Sequence, residues 1–491
     1  MSRKRIIFVT AGIMLSLFLA SMETTVVATA MPTIVGQLGG LEHYSWVFSA
    51  FMLASTTTVP LYGKISDLYG RRKLYVFAMG LFLIGSILCG LANSMTALIF
   101  GRALQGVGAG GIMPLAFILI GEMFTLEQRA RMQGLFSGVW GVSSIVGPLL
   151  GGFLVDQLSW RWVFYINIIP GLLAAALVAS AWRDHEHGHA RPAVDYAGAA
   201  LLTAGVVTLL LGLMGSGTSG WILISVASAL FILLFWVERR AADPVLPLPL
   251  FRDRLFSTAA VHGVLTGWAL FGSVSFIPLF VQAVLDTNAT QAGITLTPML
   301  LGWVAASIIG TRLMLIAGYR RLALIGMVSF TLGAFLMSRA GMDSSRMSLM
   351  VFVALMGIGM GLSIPSFLIA VQTSVERRQL GTATSTLQFS RSIGGTLGVS
   401  VMGAALSARL ASNLSASGLD PELVRQLLDP LPGAQVVIGE GVRFAMADAI
   451  HLVFVIAFAA AALAMVTVFF TPRTELKDRA REAGPSPVST D

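Results

Sequence analysis

Gly63-Lys64-Ile65-Ser66-Asp67-Leu68-Tyr69-Gly70-Arg71-Arg72-Lys73 is the stretch on which the fold turns. It is a short basic segment between two apolar runs, 46–63 and 74–92, each close to the length at which a helix crosses the hydrocarbon core of a bilayer. Its glycines allow a tight turn, and Asp67 can pair with a nearby arginine or cap a helix N-terminus. Its four cations mark it as cytoplasmic, because loops rich in Lys and Arg stay on that side of the membrane.

Outward from this loop the pattern repeats. Apolar runs are expected to span as helices at 6–31, 46–63, 74–92, 97–119, 133–155, 163–182, 196–213, 221–237, 256–281, 292–316, 322–338, 349–372, 382–408 and 445–470. Fourteen spans put both termini on one side. Loops on that side carry twenty-three of the 32 lysines and arginines, and the opposite loops carry six. The expected location is the inner (cytoplasmic) membrane, multi-pass, with both termini cytoplasmic. Arg3, Lys4 and Arg5 before an apolar run imitate a signal peptide, but the run from Ile6 to Ala30 is about twice the usual length and reads as a retained first span. Trp46, Trp160, Trp162, Trp182, Trp221 and Trp236 fall at expected span ends, as an aromatic belt would.

Composition agrees with the bilayer as main solvent. The 491 residues are 56% hydrophobic and 11% charged, roughly half the usual charged fraction of a soluble protein, and the mean hydropathy is +0.82. The net charge of +8 sits in short loops rather than in a nucleic-acid-binding face. Cys89 is the only cysteine, which excludes an intramolecular disulfide and a cysteine metal site. No phosphate-binding glycine loop occurs, which excludes an ATP-driven pump. No catalytic residue, metal or cofactor is expected; the energy source is a proton gradient.

A shift of 247 residues pairs Gly63 with Gly310, Gly134 with Gly381, Gly147 with Gly394 and Gly151 with Gly398, with Gly70 and Gly318 one residue out of register. Spans 2–5 thus map onto spans 10–13 in the same orientation, which implies two parallel six-helix halves related by a pseudo-two-fold axis. The expected organisation is a first half at 1–190, two inserted spans and a linker at 191–254, and a second half at 255–471. The tail at 472–491 is charged, then rich in Gly, Pro and Ser, and is expected to be disordered. An outer loop at 409–444 carries a short amphipathic helix opened by Asp420 and Pro421, lying on the membrane surface or offering a dock for a periplasmic partner.

The loop at 63–73 resembles the signature loop of the major facilitator superfamily, which latches the two halves on the cytoplasmic side; the resemblance assigns that role to Gly63, Asp67, Gly70, Arg71 and Arg72. Arg102-x-x-x-Gly106-x-Gly108 in span 4 resembles a motif whose arginine takes part in proton coupling. The alternative is an arginine donating to carbonyls of neighbouring helices; either way a buried arginine costs at least ~2.5 kcal/mol to insert. Gly138, Gly141, Gly147, Pro148, Gly151 and Gly152 in span 5 resemble the antiporter motif of the exporters, although its first glycine lies further upstream here. Met22-Glu23-Thr24-Thr25-Val26 onward resembles the span-1 motif of the fourteen-spanner drug:proton antiporter branch, with Glu23 in place of Asp and Ala28 in place of Asn. Ser159-Trp160-Arg161-Trp162 through Asn167, Asp195-Tyr196-Ala197-Gly198 and the 381–395 segment fit the same branch.

Glu23 is the one carboxylate well inside an expected span, so it is the candidate proton carrier, with Arg102 as its partner in coupling. The alternative is a permanently neutral Glu23 bonding a neighbouring helix. Thr24, Gln105, Trp140, His262, Trp268, Trp303, Gln388 and Arg391 are candidate cavity-lining residues. The expected function is proton-coupled export of small amphipathic molecules or drugs by alternating access. The alternatives are lipid export and, further off, metabolite import or membrane sensing. Expected partners are substrate, protons and membrane lipids, and no nucleic acid. Arg102, Arg312 and Arg391 face a single acid within the spans, which favours neutral or anionic substrates over dications.

Overall fold

The structure, a computed structural model, describes residues 3–38, 44–182, 195–214, 217–241, 248–287, 289–376, 379–416 and 440–473. Its helices in chain order are α1 (Arg3–Leu38), α2 (Tyr44–Tyr69), α3 (Arg71–Leu91), α4 (Met95–Met123), α5 (Leu126–Gln157), α6 (Trp162–Tyr165), α7 (Ile168–Ala181), α8 (Tyr196–Met214), α9 (Gly217–Glu238), α10 (Arg254–Ala283), α11 (Ala289–Ala317), α12 (Tyr319–Ser338), α13 (Arg346–Ser374), α14 (Leu380–Ala416) and α15 (Glu440–Phe469). No strand occurs among the described residues. Each expected span coincides with a helix, the sixth in two pieces. Among the described residues, eleven helices are long and apolar enough to cross a membrane. The expected outer-loop helix near Asp420 and the tail beyond 473 lie outside the described residues.

Local chemistry sets the helix boundaries. The Ser94 side chain accepts from the Ala97 amide at 3.2 Å and opens α4. Thr125 and Gln128 form a capping box at the start of α5. The break between α6 and α7 follows from Pro170, which has no N–H and whose ring collides with the carbonyl four residues back, so the helix restarts at Ile168 with Pro170 in its first turn. Asn167 sits at this break.

Two compact units emerge. Among the described residues, unit 1 takes those up to Phe256 and from Val371 to Phe389, and unit 2 takes the rest. The inserted helices belong to unit 1, where α8 packs on α9 and on α2. Within unit 1, α4 packs on α2 and α3, and α1 packs on α5 and α7.

The sequence repeat reappears in backbone geometry. Gly70 (φ 91°, ψ 149°) and Gly318 (φ 79°, ψ 153°) cap α3 and α12 in the same positive-φ conformation, one essentially reserved for glycine. In unit 1, α4 lies against α2 in parallel register: Gly106 abuts the Phe51 carbonyl and Gly110 the Ser55 carbonyl, so no side chain fits there. In unit 2, Gly357 and Gly361 of α13 abut the Met299 and Trp303 carbonyls of α11 in the same manner.

One expectation about tryptophan is corrected. Trp46, Trp162, Trp221 and Trp236 are exposed, as belt residues are, but Trp160 and Trp182 are buried. Trp160 turns inward because its indole N–H finds a partner there, Gln37 Oε1 at 2.9 Å, and because Phe164 packs edge-on against it.

Candidate functional site: a charged network inside unit 1

Three helices and the α6–α7 break bring their polar residues to one point. Glu23 of α1 is 1% exposed and sits among Met22, Val26 and Val27, all buried. Arg102 of α4 donates from Nη1 to Glu23 Oε1 at 2.6 Å and to Gln105 Oε1 at 2.6 Å. Gln105 Nε2 donates to Ser86 Oγ of α3 at 2.8 Å. Asn167, at the α6–α7 break, donates from Nδ2 to Glu23 Oε2 at 2.7 Å. Both carboxylate oxygens of Glu23 are therefore engaged, one by a cation and one by a neutral amide.

The register of α2 on α4 explains how Arg102 is held. Gly106 touches Phe51, and one turn earlier on both helices Arg102 Nε donates to the Val47 carbonyl at 3.2 Å. The guanidinium also lies over the Phe51 ring, 4.2 Å from its centroid. Both sequence readings of Arg102, acid partner and carbonyl donor, hold at once. Moving such a pair out of water costs several kcal/mol per ion, and only good geometry with further hydrogen bonds offsets it; this network supplies both.

The network lies about 8–10 Å below the α3–α4 turn, since Arg102 is seven residues into α4 and Ser86 five from the end of α3. Between it and that end stands an apolar layer of Ala92, Met95, Leu98, Leu154, Trp160, Val163 and Phe164. Arg161 closes the layer: its Nη2 donates to the Ala92 carbonyl and to Asn93 Oδ1, both at 3.1 Å, and its guanidinium stacks on Trp160.

The other candidates are scattered. Gln105 and His262, expected on a cavity surface, are buried instead. His262 of α10 is tied to Ser363 Oγ of α13 at 2.7 Å and to the Ala464 carbonyl of α15 at 3.3 Å, and its ring lies against Phe367. Trp140 is exposed on α5. Gln388 is half-buried in unit 1 and donates to Met113 Sδ at 3.5 Å. Trp268, Trp303 and Arg391 are half-buried in unit 2. The side chains of Thr24, Asp67 and Pro148 lie outside the described ones. In the span-5 string Gly147 and Gly151 are buried, whereas Gly138 and Gly152 face open space; α5 runs helical through position 148 and also meets α1 through a Ser21–Ser143 hydroxyl bond.

Around the basic loop, Arg71 is buried and forms an ion pair with Glu122 of α4, while Arg72 is exposed. Gly63 lies against Ser385 and the Gly381 carbonyl, in the 371–389 segment that packs with unit 1. Arg129 binds the Phe124 carbonyl at 2.9 Å, the Gly121 carbonyl, and the Gln372 carbonyl at 3.4 Å. Sequence reasoning assigned no role to Asn167, Ser86, Glu122 or Arg129. Pro170 was the available signal for Asn167, because a helix broken three residues earlier exposes that side chain's position to the bundle interior.

The pattern of the Major Facilitator Superfamily matches residues 13–399. The chain is 39% identical to the multidrug transporter protein MdtP of Bacillus subtilis over 87% of its own length and 79% of the relative's. It is 36% identical to multidrug resistance protein 3 of the same organism, over 96% of both chains. Among solved structures, the proton:xylose symporter XylE superimposes with a TM-score of 0.66 at 12% identity, covering 97% of this chain and 98% of that one.

Proposed function

This chain belongs to the major facilitator superfamily, and on that premise we propose that it is a proton-coupled exporter of amphipathic drugs and similar small molecules, working by alternating access. The observation that carries the coupling half of this reading is the buried Glu23–Arg102 pair. The names of the two Bacillus relatives and the span-5 string support the export half.

The energetics favour coupling. A proton on Glu23 cancels its charge and leaves Arg102 as an uncompensated cation in an apolar bundle. Breaking a buried pair in this way costs about 3–5 kcal/mol. That is close to the ~5.5 kcal/mol that inverts a two-state equilibrium from 1:99 to 99:1. Protonation of this single group therefore supplies most of the free energy needed to drive α1 and α4 to a new packing. Because Glu23 is sealed within unit 1, substrate acts on it through helix packing around Arg102 rather than by displacing the proton directly.

The basic loop acts as the latch in this scheme, with Gly63 against Ser385 and Arg71 anchored by Glu122. The preferred substrates are neutral or anionic amphiphiles, because the spans carry more arginine than acid. The membrane is the cytoplasmic one, with both termini inside.

The test is Glu23→Gln in proteoliposomes. This variant should lose pH-driven efflux while keeping substrate binding and substrate-for-substrate exchange; Glu23→Asp should keep part of the driven flux. Full driven efflux by Glu23→Gln removes the residue from the mechanism. A screen of chemically varied amphiphiles on the same preparation tests the substrate class, and a dication as best substrate overturns it.

A further inference from the structure

Asn167 is completely buried, and only one end of its amide is used. Nδ2 donates to Glu23 Oε2 at 2.7 Å, whereas Oδ1 has no hydrogen-bond partner. A buried carbonyl oxygen without a donor is costly, on the order of 1–3 kcal/mol, and native interiors rarely retain one. Arg102 is a donor only, suited to the carboxylate. Gln105 is held at both ends of its amide, Oε1 accepting from Arg102 and Nε2 donating to Ser86. Among the described residues around the acid, Asn167 carries a buried acceptor that no donor reaches.

We propose that Asn167 is the positioning residue for proton loading: its amide turns over when Glu23 is protonated, so that Oδ1 accepts the new O–H. The step balances simply. One proton from water adds to Glu23 Oε2; the Nδ2–H···Oε2 bond is lost; rotation of the amide about Cβ–Cγ forms O–H···Oδ1 in its place. In the charged state Nδ2 is satisfied and Oδ1 is not, and in the neutral state the reverse holds. The amide thereby keeps the neutral acid bonded at the moment when Arg102 loses its counter-charge. The α6–α7 break supplies the placement, because Asn167 lies on a turn between two helix pieces and not within a continuous helix.

This inference rests on Glu23 as the proton carrier, and infrared difference spectroscopy of the full chain in lipid separates the two. The chain has only four asparagines, at 93, 167, 288 and 413, so asparagine bearing a ¹³C side-chain carbonyl gives a readable signal. On acidification the wild type should show a hydrogen-bonded carboxylic acid band and, with it, a downward displacement of one asparagine carbonyl band; both should be absent in Glu23→Gln. In Asn167→Leu the acid band should move to the position of a non-bonded acid, and proton-driven transport should fall about tenfold or more, as expected for a buried polar group left unbonded, with substrate exchange reduced far less. A wild-type spectrum with no Glu23 band sinks the carrier reading itself. A Glu23 band without any asparagine displacement, or one unmoved by Asn167→Leu, sinks the amide turnover alone. Should Asn167→Leu fail to fold, the labelled wild type still decides.

Discussion

Units 1 and 2 carry the same backbone pattern and opposite interiors. Gly70 and Gly318 take the same positive-φ turn, and the glycines of α4 and α13 admit α2 and α11 in the same parallel packing. Yet the offset of 251 residues between those α4 and α13 glycines carries Arg102 onto Val353, and the shift of 247 carries Glu23 onto Leu270, both buried. Where unit 1 holds an ion pair, unit 2 holds a leucine and a valine. Its buried histidine, His262, is instead satisfied by a hydroxyl and a carbonyl. The fold thus survives with apolar residues at these positions, so the charges in unit 1 are not there to hold the bundle together. Buried ion pairs are often no more stabilising than well-packed apolar side chains, which points to a working role for this one.

The strongest way to break the comparison is to give unit 1 an apolar interior like that of unit 2. Arg102→Leu leaves Glu23 buried without its cation and should cost about 3–5 kcal/mol, read as a fall in thermal stability of the purified protein. Adding Glu23→Leu should restore most of that loss without restoring pH-driven transport. A double variant as unstable as the single one would mean that the pair is structural.

A smaller effect sharpens the contrast at the paired glycines 63 and 310. A methyl at Gly63 meets Ser385 and the Gly381 carbonyl, whereas at Gly310 it meets the end of the flexible Leu362 side chain. Gly63→Ala should therefore cost about 1–3 kcal/mol through overpacking and slow transport. Gly310→Ala should cost well under half as much, since a leucine end can move aside. Equal losses in the two variants would show that the halves do not differ in what they pack against.

The smallest effect concerns unit 2. His262→Leu removes two hydrogen bonds from the α10–α13–α15 junction and should lower stability by about 1 kcal/mol. With Glu23 of unit 1 as the proposed titrating group, the pH profile of transport should not move. A displaced profile would place a second titrating group in unit 2.

Much of this was legible in the chain. The helix ranges followed from apolar runs, because a bilayer forces helices of about twenty residues and tolerates little else. The repeat followed from glycines, since a positive-φ turn or a backbone contact admits no other residue. Glu23 and Arg102 stood out because ionisable groups are rare and costly within spans. Trp160 and Trp182 were misplaced for the converse reason: position at a span end says nothing about which way a side chain points. Gln105 and His262 looked like cavity residues because they are polar, but burial with partners satisfies a polar group equally well.

Sequence by itself determined the apolar solvent, the ranges of the helices, the spacing of the repeated glycines and which acid and arginine lie within spans, because each of these is a one-dimensional property: the length of an apolar run, a constant offset, a lone charge. Tertiary structure decided which residues meet. Arg71 pairs with Glu122 across two helices, and Trp160 seals a layer above the acid. Asn167, 144 residues from Glu23 in sequence, offers it an amide with one end unused. Such contacts depend on the rotation of each helix about its axis, which is set by packing against its neighbours and by breaks such as that at Pro170, and no single span encodes it.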